Sequence, residues 1–279
     1  GEYLDEHVGL AHARLFIRDL SGGLQPMVRT LYGNDYAIVY NGEVYNTDEL
    51  YGPLKNAGFE FETTCDTEVV LYAYIHYGVD FVKKLNGIFA FAIWDGGLNT
   101  LLLYRDRLGV KPLFYSIGNN TLVFGSEPKV LFAHQGFEPC VDLNGFREVF
   151  GLGPARTPGC GVFKGVCEIK PGHYGLFSRD GFHTARYWTL ESIRHEESYE
   201  ETVDKVSWLV RDAIKKQMVS DVGVCTFLSG GVDSSIVTAV ASLYLDEKDN
   251  VLNTFSFDFK GNEKHFKASA YQPERDAPY

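Results

Sequence analysis

The hydrophobic positions of this chain change period along its length, and the changes divide it. Tyr36-Ala37-Ile38-Val39-Tyr40 is apolar, aromatic and β-branched, which predicts a strand, and Asn41-Gly42 after it reads as a turn that tolerates positive φ. Two helices are predicted next. One covers 48–57 and stops at Gly58. The other covers 66–77, with Asp66 placed to cap it, Glu68 in its first turn and Gly78 closing it. Strand-like runs follow at 88–94, 100–105, 113–117 and 121–124, separated by the turns Asp95-Gly96-Gly97 and Gly118-Asn119-Asn120. A Gly- and Pro-rich loop over 151–165 precedes closing strands at 173–177 and 186–189. Residues 191–198 are charged and polar and read as a linker. The period then becomes helical: Val203, Val206, Leu209, Val210, Ala213 and Ile214 mark an amphipathic helix over 199–219. An apolar strand at 222–228, a helix long enough to be buried at 236–245 and a strand at 254–259 follow. Strand, helix, strand of this kind implies a parallel, doubly wound sheet. The predicted organisation is a β-rich domain over 1–190, a linker over 191–198 and the start of an α/β domain over 199–279.

Composition narrows the function classes. With 279 residues, 45% hydrophobic and 14% aromatic, the chain has room for two cores. A formal net charge of −11 argues against a nucleic-acid or anionic-membrane partner. Runs such as 88–94 are too short to cross a bilayer, and no signal-peptide pattern opens the chain. Cys65, Cys140, Cys160, Cys167 and Cys225 are odd in number and lack C-x-x-C spacing, which suits a reducing cytoplasm, and the last four are expected to be inert packing thiols. The expectation is a soluble, cytoplasmic protein, with homo-oligomerisation left open. Its first residue is Gly1, not Met, so an internal piece of a longer chain is expected.

The densest chemistry lies at Ser229-Gly230-Gly231-Val232-Asp233-Ser234-Ser235, between the strand at 222–228 and the helix that follows. A glycine turn entering a helix aims unpaired N–H groups and a positive dipole end at an anion. Asp233 beside a phosphate requires a cation between them, which suggests Mg²⁺. No G-x-x-x-x-G-K-[ST] occurs, so this is not a Walker loop. The stretch resembles the S-G-G-x-D-S loop of the PP-loop ATP pyrophosphatases, in which the loop holds pyrophosphate.

In the first domain Arg14, Asn41, Gly42, Glu43 and Asp66 stand at element ends. Individually these are a surface charge, a turn and a helix cap. Together they suit a free amino acid with a side-chain amide: a guanidinium for the α-carboxylate, two acidic groups for the α-ammonium, and an Asn amide with a Gly N–H as oxyanion donors.

The words in which they occur carry a resemblance. His12-Ala13-Arg14-Leu15, Leu20-Ser21-Gly22-Gly23-Leu24-Gln25-Pro26-Met27, Asn41-Gly42-Glu43-Val44-Tyr45-Asn46 and Cys65-Asp66-Thr67-Glu68-Val69 resemble the class II glutamine amidotransferase domain of the glutamine-hydrolysing asparagine synthetases. The runs 85–95 and 105–113 and Pro171-Gly172-His173 continue it, and the phosphate loop falls where that family's synthetase domain begins. The resemblance implies an α+β, αββα N-terminal-nucleophile domain that releases ammonia from glutamine, followed by a PP-loop domain. It implies that Arg14, with Leu15, Phe16, Ile17 and Arg18 beside it, binds the glutamine carboxylate. Asn41 and Gly42 would form the oxyanion hole, and Glu43 and Asp66 would take the ammonium. In the second domain Ser229, Gly230, Gly231, Asp233 and Ser234 would hold ATP pyrophosphate with Mg²⁺ on Asp233, and Leu228 and Phe257 would flank the adenosine. Aspartate would become β-aspartyl-AMP, and ammonia tunnelled between the domains would displace AMP to give asparagine.

The chain departs from that pattern in places. The family's nucleophile is a cysteine at the mature N-terminus, whereas the first cysteine here is Cys65, expected at the ammonium end of the ligand and not as nucleophile. The later S-G-E motif is also missing. The chain by itself is therefore expected to turn over nothing. His12 and His173 are read as structural. Two alternatives stand beside this reading: a related carboxylate-adenylating synthetase of the β-lactam synthetase or peptide cyclase type, and a non-catalytic module that binds glutamine or ATP.

Overall fold

The structure is a computed structural model that describes residues 1–268 apart from Phe16, Leu20, Ser21 and Phe259. The chain divides into two compact units, Gly1–Ser192 and Ile193–Tyr279.

The first unit contains β1 (Glu2–Leu4), β2 (Gly9–Ala11), β3 (Met27–Leu31), β4 (Asn34–Val44), α1 (Thr47–Asn56), α2 (Asp66–Tyr77), β5 (Gly87–Asp95), β6 (Thr100–Arg105), β7 (Phe114–Gly118), β8 (Thr121–Gly125), α3 (Pro128–Phe132), α4 (Leu143–Gly151), β9 (Cys167–Glu168), β10 (His173–Ser178) and β11 (Gly181–Arg186). A six-stranded antiparallel sheet has the order β11-β10-β6-β5-β4-β3, and a three-stranded sheet has the order β8-β7-β9. Side chains alternate between the faces of a strand, and that alternation builds the layers. Ile38 and Tyr40 of β4, Phe89, Phe91 and Ile93 of β5, and Leu102 and Tyr104 of β6 pack with Leu50 and Leu54 of α1 and Val69, Val70 and Ala73 of α2. The opposite face offers Ala37, Val39, Ala90, Ala92, Leu101 and Leu103 to Leu113, Tyr115, Leu122 and Phe124. Leu131 and Phe132 of α3 cover the far side of the small sheet with Phe114 and Val166. Helices, sheet, sheet and helix stack as the expected αββα order. The face between the sheets is rich in alanine, and the short side chains leave space there.

Four expectations for this unit need correction. Asn41-Gly42 is not a turn: β4 runs through it, with Asn41 opposite Ala90 and Gly42 opposite Phe89. A local turn signal has lost to pairing with a long neighbour, and glycine serves close approach instead. A Cβ on Gly42 would overlap the Ile88 carbonyl oxygen and lie 2.6 Å from Phe89 Cα. Asp66 does not cap α2; Cys65 is the N-cap and makes no side-chain cap bond. The closing strand is β11, before 187–189, and Tyr187 instead anchors that stretch by donating to the Arg105 carbonyl at 2.7 Å. The strands β1, β2, β3 and β9 and helices α3 and α4 also lay outside the sequence expectation. The cysteines are not all packing thiols, since Cys140 is exposed and Cys160 and Cys167 are half-buried.

The second unit opens with α5 (Tyr199–Lys216), started by a capping box between Ser198 and Glu201. β12 (Cys225–Phe227), α6 (Val232–Asp246) and β13 (Asn253–Phe255) follow, then the short α7 (Asn262–His265). β12 and β13 pair in parallel, Thr226 opposite Thr254, with α6 as the crossover. Both strands are shorter than expected. Cys225 is exposed, and α6 buries only Val240 and Ala241. Among the described residues, no helix is long and apolar enough to cross a membrane.

Candidate functional site

One cavity of about 1510 Å³ in the first unit is lined by Arg14, Leu15, Ile17, Arg18, Gln25, Tyr40, Asn41, Gly42, Glu43, Asp66, Thr67 and Lys111. It continues between the sheets toward Trp94, Leu122, Phe124, Phe177 and Phe182. Every residue predicted to hold glutamine lines this cavity except Phe16, which lies outside the described residues.

The loop after β2 supplies the arginines. Arg14 donates from Nη1 to the Asp19 carbonyl at 3.1 Å and from Nη2 to the Arg18 carbonyl, and its Nη2 lies 3.7 Å from Cys65 Sγ. Gly23 presses on the guanidinium, since a Cβ there would come within 2.5 Å of both terminal nitrogens. Asp19 ties this loop to the start of α2 by accepting from the Thr64 N–H at 2.9 Å and the Thr64 hydroxyl at 3.2 Å.

β4 supplies the oxyanion candidates. N–H groups alternate in direction along a strand, so those of Tyr40, Gly42 and Val44 leave the same edge of β4, away from β5. The Tyr40 N–H is taken by Gln25 Oε1 at 2.6 Å, and the Val44 N–H by Asp66 Oδ2 at 3.1 Å. β3 pairs only as far as Met27 opposite Ile38, so the Gly42 N–H between them leaves an edge that no strand covers among the described residues. The Asn41 side chain stands next to it in the cavity wall.

The two carboxylates differ. Asp66, 4% exposed, accepts from the Tyr40 hydroxyl at 2.8 Å and is locked in place by α2 and β4 together. Glu43 is half-buried, and burial with the nearby Asp66 pushes its carboxyl up to about 7, although Arg18, Lys111 and Arg14 pull the other way. Cys65 is buried, and burial pushes its thiol up, with Asp66 adding to the effect. A buried protonated thiol is a poor nucleophile. Glu68 does not simply favour the helix dipole. Burial opposes its charge, but Thr63, Arg29 and the N–H groups of Glu62 and Thr63 outweigh it and hold the carboxyl below its usual range. His12 Nδ1 and Trp94 Nε1 are buried without a hydrogen-bond partner among the described residues, and burial lowers the His12 pKa. His173 Nδ1 lies 2.7 Å from the Pro171 carbonyl, a local brace.

Asp19, Gln25, Tyr40, Thr67 and Lys111 belong to this site but were not singled out from the sequence. Gln25 and Thr67 sat within the quoted words, and Tyr40 directly precedes Asn41, so adjacency was the available signal.

In the second unit Gly230 has φ 78°, a left-handed turn that glycine permits, and Gly231 is the N-cap of α6 without a side chain to cap it. The first N–H groups of a helix have no intrahelical partner, and Gly231 has no side chain to take them up. Ser234 Oγ lies 3.3 Å from Ser229 N and 3.1 Å from Ser229 Oγ and donates to the Gly231 carbonyl at 3.1 Å, which braces the loop. Leu228 is tied to β13 through the Phe255 carbonyl at 2.9 Å, while Phe257 lies two residues beyond that strand and is exposed. Asp233 is exposed in the first turn of α6. The set of groups, two hydroxyls, the first N–H groups of α6 and one carboxylate, fits a metal-bound phosphate.

Residues 1–188 match the family of the glutamine amidotransferase domain, and the chain belongs to it. Residues 205–276 match the asparagine synthase family. The chain is 50% identical to glutamine-hydrolysing asparagine synthetase 3 of Bacillus subtilis over 276 residues, 99% of this chain and 45% of that protein. It is 34% identical to asparagine synthetase 1 of the same organism, covering 93% of this chain and 40% of that one. Amidase chyE of Penicillium rubens is 37% identical over 84% of this chain and 35% of that protein. The chain thus spans less than half the length of these curated relatives. Among solved structures, glutamine phosphoribosylpyrophosphate amidotransferase from B. subtilis is similar at 17% identity and a TM-score of 0.42, covering 89% of this chain and 52% of that one, too remote to add to the argument.

Proposed function

We propose that the first unit binds glutamine and serves to release ammonia from it, and that the second binds ATP with Mg²⁺ to activate the carboxylate of aspartate. The product is asparagine, by way of β-aspartyl-AMP, with AMP and pyrophosphate released, in a cytoplasmic setting that suits five free thiols. The single observation that carries the reading is the cavity in which Arg14 and Arg18 stand with Glu43 and Asp66 and with the open edge of β4 at Asn41 and Gly42. Arg14 and the backbone around it hold the α-carboxylate. Glu43 and Asp66 accept from the α-ammonium. The Asn41 amide and Gly42 N–H receive the charge that develops on the amide oxygen. At the start of α6, Ser229, Gly230 and Gly231 of the preceding loop and Ser234 of the first turn grip the pyrophosphate of ATP, and Asp233 meets it through Mg²⁺, which supplies charge neutralisation when bound. Leu228 and Phe257 flank the adenosine.

The test is calorimetric titration of the protein with glutamine, glutamate and an amine-blocked glutamine. Glutamine should bind, and blocking the amine should abolish binding. In the intact enzyme Asp66→Asn should raise the glutamine KM about ten- to a hundredfold and spare synthesis driven by free ammonia, since it removes one charge-assisted contact worth roughly 1.5–3 kcal/mol. Equal loss of both activities in a folded variant would refute the assignment.

A further inference from the structure

Glu43 must be ionised to accept an ammonium, yet its place in the cavity works against that charge. A second loop answers this by bringing in a cation. Asp106, 1% exposed, accepts on Oδ1 from the N–H groups of Leu108 at 3.1 Å and Val110 at 3.0 Å, and on Oδ2 from those of Lys111 at 3.0 Å and Phe89 at 3.3 Å. The buried Arg105 guanidinium donates from Nε to the Lys111 carbonyl at 2.8 Å, while its other nitrogens hold Gly109, Ile169 and Glu168. Both backbone groups of Lys111 are thus held by buried side chains, and the point where its side chain enters the cavity wall is set.

The other cations near Glu43 have backbone work to do. Arg18 donates to the Val44 carbonyl at 3.4 Å, and Arg14 grips the carbonyls of Arg18 and Asp19. Lys111 is half-buried, and among the described residues its ammonium has no ion-pair partner within 4.0 Å. The titratable and charged groups facing Glu43 are Tyr40 on β4, Tyr45 just after it, Asp66 on α2, Arg14 and Arg18 of the loop, and Lys111. Burial keeps both tyrosines neutral, with Tyr45 pushed up to about 12 and Tyr40 well above its usual value. The field at Glu43 is therefore Asp66 against three cations.

We propose that Lys111 is a positioning residue: held in the wall of the same cavity, its ammonium favours the ionised form of Glu43, the form that receives a substrate ammonium. This rests on the glutamine reading of the cavity. Lys111 also repels the incoming ammonium, so its benefit is confined to the pH range in which Glu43 would otherwise be protonated. That restriction separates it from a residue that merely supports the fold.

The experiment has two arms on the same proteins, wild type, Lys111→Met and Lys111→Arg. The first follows the Glu43 side-chain carboxyl by ¹³C NMR without ligand, assigned with Glu43→Gln. The midpoint should rise by about half to one pH unit in Lys111→Met and stay near wild type in Lys111→Arg. The second measures glutamine affinity by calorimetry. Lys111→Met should bind about three- to tenfold more weakly than wild type at pH 6.5 and as tightly or more tightly at pH 8.5, with Lys111→Arg restoring the low-pH value. An unmoved midpoint in Lys111→Met, or a loss of equal size at both pH values, would overturn the proposal. If the midpoint moves but no protein binds glutamine at any pH, the glutamine reading falls and takes the role in binding with it, while the charge link between the residues stands.

Discussion

The Tyr40 hydroxyl donates to Asp66 at 2.8 Å, joining β4 of the large sheet to the first turn of the helix packed on it. Both residues are buried, and the same carboxylate oxygen also accepts from the Val44 N–H at 3.1 Å. One oxygen of Asp66 is thus spent on holding the side chain in place, and Oδ1 is left toward Cys65 Sγ at 3.5 Å.

Tyr40→Phe isolates that contact. The ring stays packed against Phe91, whose centroid is 6.0 Å away, so little volume is lost. Removing a donor from a buried carboxylate should cost about 1–3 kcal/mol of stability and weaken glutamine binding several-fold, because Asp66 would keep only the Val44 N–H and the weak Cys65 thiol contact. Denaturant unfolding and calorimetry check it. Unchanged values in both would mean that Asp66 is positioned by the helix and not by the tyrosine.

Glu43 makes the pocket pH-sensitive. Its carboxyl sits at about 7 in the empty cavity, above the usual carboxylate value, so the folded protein binds a proton there that the unfolded chain has released. The stabilising contribution is complete below the unfolded value and is lost as pH rises through about 7. Glu43→Gln should therefore flatten the stability profile between pH 5 and 8 and leave the variant relatively more stable at the upper end. Binding an ammonium ligand selects the anion, so wild type should release a proton near neutral pH and gain close to tenfold in glutamine affinity from pH 6 to 8. Titration in buffers of different ionisation enthalpy measures that proton. Proton uptake, or affinity flat with pH, would contradict the assignment.

Gly42→Ala tests the close approach of β4 and β5. The new Cβ would meet backbone atoms, the Ile88 carbonyl oxygen and Phe89 Cα, neither of which can rotate away. Overpacking against backbone should cost more than about 2 kcal/mol and displace the N–H that the proposed oxyanion site needs. A fall in melting temperature together with loss of glutamine turnover in the intact enzyme is expected. Wild-type stability would show that the two strands separate more easily than their pairing suggests.

How far the sequence carried this depended on whether local and tertiary signals agreed. The strand at 100–105 and the helix at 66–77 were legible to the residue, because apolar period, acidic start and closing Gly78 all point one way. Asn41-Gly42 misled because a dipeptide's turn preference is weak beside a nine-residue ladder with β5. α4 was not legible because Gly145 interrupts its apolar period and its last residue, Gly151, opens the stretch read as a loop; Gly145 is there because a Cβ would overlap the Val162 carbonyl oxygen. The quoted words brought Arg14, Asn41, Glu43 and Asp66 into one cavity, but the groups that hold them in place were not legible. Asp66 read as a cap, and only the fold shows Tyr40 claiming it across 26 residues. Lys111 lies in the run 105–113 without a role legible from sequence, and only the fold shows the buried Asp106 and Arg105 fixing its backbone.

The phosphate loop supports a prediction in which two neighbouring residues fail differently. Ser234 Oγ is within reach of Ser229 N, Ser229 Oγ and the Gly231 carbonyl, so it braces the loop as well as offering a donor. Ser234→Ala should lower the stability of the second unit by about 0.5–1.5 kcal/mol and weaken pyrophosphate binding with or without Mg²⁺, since the loop loses its internal tie. Asp233 is exposed and in the first turn of α6, where a carboxylate also favours the helix dipole by a few tenths of a kcal/mol. Asp233→Asn should leave stability nearly unchanged and remove only the Mg²⁺-dependent part of pyrophosphate binding. Without Mg²⁺ the same variant should bind the anion slightly better than wild type, because a repelling charge has gone. Titrations of pyrophosphate into both variants, with Mg²⁺ and with a chelator, separate the two roles, and glutamine binding by the first unit serves as the control for folding. If Asp233→Asn keeps full Mg²⁺-dependent binding, the metal is held elsewhere and Asp233 belongs to the helix alone.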